Sequence, residues 1–146
     1  MEIGVLGLGR MGRIVADRLR EGGHEVVGYD VDPDTVAAAA EDGITPAESI
    51  PDLAQQLSAP KRIWLVVPSG DPVDAALDEL NPHLDEEDIV IDGGNSYFEH
   101  SIRRAESIDA AYLDCGTSGG PASAEAGFSM MVGGPEWAYE ELVPAF

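Results

Sequence analysis

Glu2-Ile3-Gly4-Val5-Leu6-Gly7-Leu8-Gly9-Arg10-Met11-Gly12 begins at the second residue of the chain. Its first half is a short, partly β-branched apolar run that ends in glycine. From Arg10 to Glu21, Met11, Ile14, Val15 and Leu19 recur at helical spacing until Gly22 and Gly23 interrupt them. Gly7-Leu8-Gly9-Arg10-Met11-Gly12 is therefore a G-x-G-x-x-G at a strand-to-helix junction. The first glycine permits the tight turn, the second lets backbone approach a diphosphate, and the third lets helix and strand pack closely. The diphosphate would lie on free N–H groups at the positive helix end. The competing reading is a plain glycine turn. Asp30 separates the two. It follows a second strand, Glu25 to Tyr29, and stands 18 positions after Gly12, close to the roughly 20-residue spacing at which a carboxylate accepts the ribose hydroxyls of a dinucleotide. A carboxylate there repels a 2′-phosphate, so the pattern predicts NAD over NADP.

Outward from this unit, strand and helix patterns keep alternating. Asp32-Pro33 opens an alanine-rich helix that Gly43 ends, and Ser49 to Leu57 reads as a short helix. Arg62 to Val67 is a continuous apolar run of the kind buried on both faces. A helix from Asp71-Pro72 to about Leu80, a strand at Asp88 to Asp92, a helix from Tyr97 to Ile108 and a strand at Ala111 to Cys115 follow. Gly116 to Gly127 is rich in Gly, Ser and Ala, after which come a strand at Phe128 to Val132 and a helix from Pro135 onward. The alternation predicts an α/β fold of the Rossmann type: a doubly wound, mostly parallel sheet with helices on both faces. The helix pattern still running at Phe146, without a glycine cap, predicts a boundary inside a longer protein.

The 146 residues suit one domain, here 1–146, and the 44% hydrophobic content excludes intrinsic disorder. No apolar run approaches the roughly 18 to 20 residues of a membrane span, and Glu2 stands where a basic leader would begin. A cytoplasmic protein without a membrane partner is expected. The 28 acidic and 8 basic residues give a net charge of −20, which also argues against a nucleic acid partner. Seven of the basic residues are Arg, and Lys61 is the sole lysine. Cys115, the single cysteine, allows neither an internal disulfide nor a cysteine metal cluster, and reads as a buried strand thiol. His24, His83 and His100 are widely spaced, so no metal site is expected.

Three further stretches sit where strands end, the ligand-bearing edge of such sheets. Val67-Pro68-Ser69-Gly70 either offers backbone to the cofactor or is a plain strand-to-helix turn. In Asp92-Gly93-Gly94-Asn95-Ser96, Asn95 supplies a donor and an acceptor suited to a polyol hydroxyl or a carboxamide; the alternative is an Asn-Ser helix cap. Gly116-Thr117-Ser118-Gly119-Gly120 exposes hydroxyls and N–H groups able to hold a carboxylate, or is a flexible glycine loop. Arg10, a cation in a first helical turn, is opposed by the helix dipole unless an anion lies nearby; otherwise it is simply solvated.

Taken with the run Met130-Met131-Val132-Gly133-Gly134, these motifs resemble the N-terminal coenzyme-binding domain of 6-phosphogluconate dehydrogenase, within the β-hydroxyacid dehydrogenase superfamily. The Gly-Gly-Asn-Ser form discriminates the sugar-acid branch best. The resemblance implies oxidative decarboxylation of 6-phosphogluconate to ribulose 5-phosphate in the pentose phosphate pathway, without a metal. It implies Gly7, Leu8, Gly9, Arg10, Met11, Gly12, Asp30, Val67, Pro68, Ser69 and Asn95 at the cofactor, and Asn95, Ser118, Gly119 and Gly120 at a sugar-acid phosphate substrate. Tyr29-Asp30 replaces the Asn-Arg pair of NADP-using members, which again implies NAD. The resemblance places the family's catalytic lysine and glutamate beyond Phe146, on or near the long helix that follows this domain, and implies an all-helical second domain that builds the homodimer or homotetramer. The 146 residues alone are therefore expected to be inactive. Two alternatives stand: a 3-hydroxyisobutyrate-type dehydrogenase domain, and a stand-alone NAD-binding or sensing module.

The charge makes its own prediction. A chain at −20 repels itself in dilute buffer, and at about 1 M salt, where the Debye length is about 3 Å, that repulsion is screened. A salt-adapted, halophilic source is inferred, the alternative being an ordinary acidic protein. Thermal melts from low to multimolar KCl should show Tm rising with salt, and a salt-independent Tm would overturn the inference.

Overall fold

The glycine-terminated run at the start becomes β1 (Glu2–Leu6), and the helical spacing after it becomes α1 (Arg10–Glu21). The structure, a computed structural model, describes residues 1–119 and 127–146. The chain continues through β2 (Glu25–Tyr29), α2 (Pro33–Glu41), β3 (Thr45–Pro46), α3 (Ile50–Gln56), β4 (Arg62–Leu65) and α4 (Asp71–Leu80). It ends with β5 (Ile89–Asp92), α5 (Phe98–Ala105), β6 (Ala111–Ser118), β7 (Ser129–Gly133) and α6 (Glu136–Leu142). Sheet order is β3-β2-β1-β4-β5-β6-β7; every pairing is parallel except β6 with β7.

Alternate strand residues enter two cores. Ile3, Val5, Val26, Trp64, Ile89, Ile91 and Leu113 pack with Val15 and Leu19 of α1, Ala39 of α2, and Ala138 and Leu142 of α6. Leu6, Val27, Ile63, Leu65, Val90 and Tyr112 pack on the other face with Leu53 of α3 and Val73, Leu77 and Leu80 of α4. Strands buried on both faces explain the continuous apolar runs in the sequence. This is the doubly wound, mostly parallel Rossmann-type sheet that the alternation predicts.

Register decides where a ligand can lie. Leu6 pairs with Tyr29 and with Leu65, Leu65 with Asp92, and Asp92 with Asp114, so the carboxyl ends of the central strands form one row. β6 alone runs past this row, from Cys115 to Ser118, paired antiparallel with β7 as far as Ser118 with Ser129. The two strands form a wall at one end of the edge.

Several elements differ from the sequence expectation. β3 has two residues, too few for a periodic signal. α5 stops at Ala105, not at Ile108, because the Ser107 hydroxyl donates to Arg104 O at 2.9 Å and caps the helix there. β6 extends to Ser118, carried by its pairing with β7. The last helix breaks at Leu142, where Pro144 redirects the chain into a 3-10 turn, Val143–Ala145.

Lys61 lies at the opposite edge, ahead of β4. Its Nζ is 3.0 Å from Oδ2 of Asp88, which is 1% exposed and also accepts the Lys61 and Asp85 amides at 2.6 and 2.9 Å. The sole lysine thus compensates a buried carboxylate that ties β4 to the start of β5. Lys61→Met should cost about 1–3 kcal/mol by leaving that charge with its backbone donors only, read as a lower midpoint in urea unfolding.

Candidate functional site

The β1-to-α1 crossing is tight. Gly7 sits at φ 95°, and a Cβ there would come within 2.5 Å of Val66 O. A Cβ on Gly12 would lie 1.8 Å from Gly7 O, so α1 rests directly on the turn beneath it. Gly9 is different: a Cβ there meets nothing within 4 Å, because the position faces an open cleft. The first helical amide with a partner is that of Arg13, bonded to Gly9 O at 2.8 Å. Those of Arg10, Met11 and Gly12 precede any carbonyl that could pair them within the helix. No acidic side chain occupies this first turn. The cradle fits a diphosphate group: glycine where backbone must approach, unpaired donors at a positive helix end, and free space above them.

Asp30 stands across from this loop. Oδ2 accepts the Leu8 amide at 2.7 Å and Oδ1 accepts the Asp32 amide at 3.0 Å, so the carboxylate braces the glycine loop while keeping lone pairs for ribose hydroxyls. A cleft of about 480 Å³ opens beside them, lined by Gly7, Gly9, Asp30, Val67 and Pro68 and by Glu79 of α4. The Leu8 side chain turns away into the core, 3% exposed, and its amide is engaged by Asp30. Arg10 is exposed and has no side-chain partner among the described residues. Met11 is half-buried beside it.

Next along the edge, Gly94 packs on the turn after β4: a Cβ there would lie 2.8 Å from Val67 O and 3.8 Å from Ser69 N. Asn95, at φ 55°, occupies the left-handed region that asparagine tolerates better than most residues. Its Oδ1 accepts the Thr117 amide at 3.0 Å, joining the β5–α5 turn to the wall formed by β6. Asn95 is not a helix cap; α5 begins at Phe98 and has no side-chain cap. Nor does it line the 480 Å³ cleft. Together with Ser96, Asp114, Gly116 and Met131 it lines a separate hollow of about 390 Å³. Ser118 and Gly119 are exposed at the end of β6, two residues beyond this hollow. Gly120 and the stretch 121–126 lie outside the described residues.

Beneath the Asn95 turn is a buried polar cluster that the sequence reading missed. Asp92 is fully buried, Arg104 1% exposed and Tyr112 3% exposed. Asp92 Oδ2 accepts the Tyr112 hydroxyl at 2.5 Å and the Ser96 hydroxyl at 2.6 Å, and Oδ1 accepts the Gly94 amide at 2.9 Å. Burial first, and the bond to Asp92 second, push the Tyr112 hydroxyl far above its ordinary pKa. The available signal was Arg104 on an otherwise amphipathic α5. Burial also lifts the Cys115 thiol to about 11, consistent with a strand thiol in the core. Among the described residues no group of His, Cys, Asp and Glu could hold a metal ion. No helix of the described residues is long and apolar enough to cross a membrane.

A doubly wound sheet with this glycine cradle and this carboxylate one strand over defines a Rossmann-type dinucleotide-binding domain. A family profile described as the NAD binding domain of 6-phosphogluconate dehydrogenase matches residues 2–146, and the chain belongs to that family. It is 65% identical over 146 residues to the NAD(+)-dependent, decarboxylating 6-phosphogluconate dehydrogenase of Haloferax volcanii, covering all of this chain and 49% of that protein. This relative fits the salt adaptation read from the charge. The structure of Plasmodium falciparum 6-phosphogluconate dehydrogenase is similar with a TM-score of 0.86 at 29% identity, covering 99% of this chain and 33% of that one. A 3-hydroxyisobutyrate dehydrogenase from Mycobacterium tuberculosis is similar with a TM-score of 0.86 at 25% identity, covering 99% and 50%. The chain spans between about a third and a half of the length of the curated relatives it matches.

Asp74 of α4 gives a pH prediction. The hydrogen bond from Arg104, with that from Arg103, holds its carboxyl below the ordinary 3.8. A depressed pKa contributes stability above the unfolded value and loses it as pH falls through the folded one. The Tm advantage of the native chain over Asp74→Asn should be constant near neutrality and shrink below about pH 3.8; thermal melts of both proteins from pH 7 to 2.5 read it.

Proposed function

We propose that this chain is the coenzyme half of an NAD-dependent dehydrogenase that oxidatively decarboxylates 6-phosphogluconate to ribulose 5-phosphate. The observation that carries the reading is the Asp30 carboxylate bonded to the Gly7–Gly12 loop, with Gly7, Gly9 and Asp30 lining one cleft. The amides at the start of α1 would hold the diphosphate, with Arg10 beside it and Met11 lining the same helix end. Asp30 would accept the ribose hydroxyls, and Val67, Pro68 and Ser69 would flank the coenzyme further along the edge. Bound NAD supplies the hydride acceptor. Asn95, Ser118, Gly119 and Gly120 would hold the sugar-acid phosphate, Asn95 through the carboxamide donor left after its oxygen has taken the Thr117 amide.

Lys61 is unsuited to be the base, since it is bonded to Asp88 at the far edge of the sheet. A lysine and a glutamate outside these 146 residues, in an all-helical second domain that also builds a homodimer or homotetramer, would complete the reaction. The 146 residues would then bind coenzyme and turn over nothing. A cytoplasmic location accords with a metabolic enzyme of this kind. Similarity to 3-hydroxyisobutyrate dehydrogenase favours a second reading with a smaller acid, but its identity is 25%, against 65% for the sugar-acid relative. A stand-alone sensing module would bind coenzyme equally well.

Calorimetric titration of the chain should find NADH tighter than NADPH by about 1–3 kcal/mol, the range for loss of a buried hydrogen-bonded partner; equal affinities would count against Asp30 as the selector. An assay of the complete protein in high salt should show NAD reduction with 6-phosphogluconate. Turnover of 3-hydroxyisobutyrate instead would favour the second reading, and neither turnover the sensing module.

A further inference from the structure

Arg104 lines neither the coenzyme cleft nor the Asn95 hollow, yet its guanidinium bonds to Gly70, between the cleft-lining Pro68 and Pro72, and to Ser96, which lines the hollow. Nη2 donates to Gly70 O at 3.0 Å, in the turn that leads from β4 into α4. Nη1 donates to Ser96 Oγ at 2.8 Å and reaches Asp92 Oδ2 at 3.3 Å, in the turn that carries Asn95. Nε donates to Asp74 Oδ1 at 2.8 Å on α4. One planar fork thus spans two loops that the sequence keeps more than twenty residues apart. A point charge on a flexible stem cannot bond in all these directions at once. Buried ion pairs are weak evidence for stability, since well-packed apolar residues often do as well. Such a pair does fix directions in space, and the direction fixed here is that of the turn holding Asn95 in its left-handed conformation.

We propose that Arg104, acting with Asp92 and Tyr112, is a positioning residue that locks the Pro68–Gly70 turn and the Gly94–Ser96 turn into one rigid unit and so holds the Asn95 carboxamide for the substrate. The inference rests on the reading of Asn95 as a substrate ligand. Arg104 touches neither ligand; it acts through Asn95. Two consequences follow. Loosening the fork raises the KM for the sugar acid far more than it weakens coenzyme binding, because the Gly7–Gly12 cradle and Asp30 are held by other bonds and Pro68 and Ser69 only flank the coenzyme. Once Asn95 has been truncated, nothing further is lost by loosening it.

The experiment is a double-mutant cycle in the complete protein, with 6-phosphogluconate as the varied substrate and NAD saturating. Arg104→Lys should raise KM about 10- to 100-fold, the scale of a misplaced substrate contact, with NADH affinity by titration within about twofold of native. Asn95→Ala should raise KM similarly, and Asn95→Ala with Arg104→Lys should be no worse than Asn95→Ala alone. Tyr112→Phe, which removes one hydroxyl and keeps the ring, enters the same cycle and serves in place of Arg104→Lys if that variant does not fold. A native KM in the Arg104 and Tyr112 variants beside a raised KM in Asn95→Ala overturns the proposal alone, as do penalties that multiply. A native KM in Asn95→Ala itself overturns the substrate reading on which the proposal stands.

Discussion

The carbonyl oxygen of Gly7 occupies the place where any side chain at position 12 would begin. That single close approach seats α1 directly on the end of β1. The amides of Arg10, Met11 and Gly12 then face the row of strand ends, while Leu8 is driven into the core behind them. Asp30 can reach back to the Leu8 amide because β2 pairs with β1 in a register that ends at Leu6 and Tyr29. The cleft lies beside these two backbone segments, which line it together with the turn after β4 and α4. Its position is a consequence of packing, and its chemistry, donors on one side and a carboxylate on the other, follows from which groups the packing leaves unpaired.

Charge is used in two ways. Most of the 28 acidic side chains serve no contact that defines the site, and they give the chain its net charge of −20. The few cations are placed with more consequence. Lys61 compensates buried Asp88, Arg62 pairs with Glu141 of α6, and Arg104 joins Asp74 and Asp92. In each case the partner belongs to a different element, so the ion pair acts as a tie between parts of the sheet and its helices. Arg10 contrasts with these, standing at the cradle without a side-chain partner among the described residues.

The fold and the glycine turn with its neighbouring carboxylate were legible for a shared reason: both are written in short-range patterns. Glycine spacing, the switch from apolar runs to helical periodicity, and an acid at a strand end are local features, and local geometry then places them. The two-residue β3, the overrun of β6 and the early stop of α5 depend on partners distant in sequence. So does the separation of Asn95 from the cleft into a hollow of its own, which arises because β6 and β7 project past the other strand ends and the Thr117 amide takes the Asn95 oxygen. The Asp92–Arg104–Tyr112 cluster was missed for the same reason. An arginine within a polar helix reads as solvated until the neighbouring strand and helix close over it.

The left-handed backbone at residue 95 restricts which amino acids can stand there. Glycine and aspartate share asparagine's tolerance of that conformation, whereas a β-branched residue is strained in it. On the proposed role of Asn95, a lineage moving toward a different acid could exchange the side chain at this point only within a narrow alphabet, unless the turn itself were rebuilt. Divergence in substrate choice would then leave its trace in loop length and glycine content around this position sooner than in the identity of one residue.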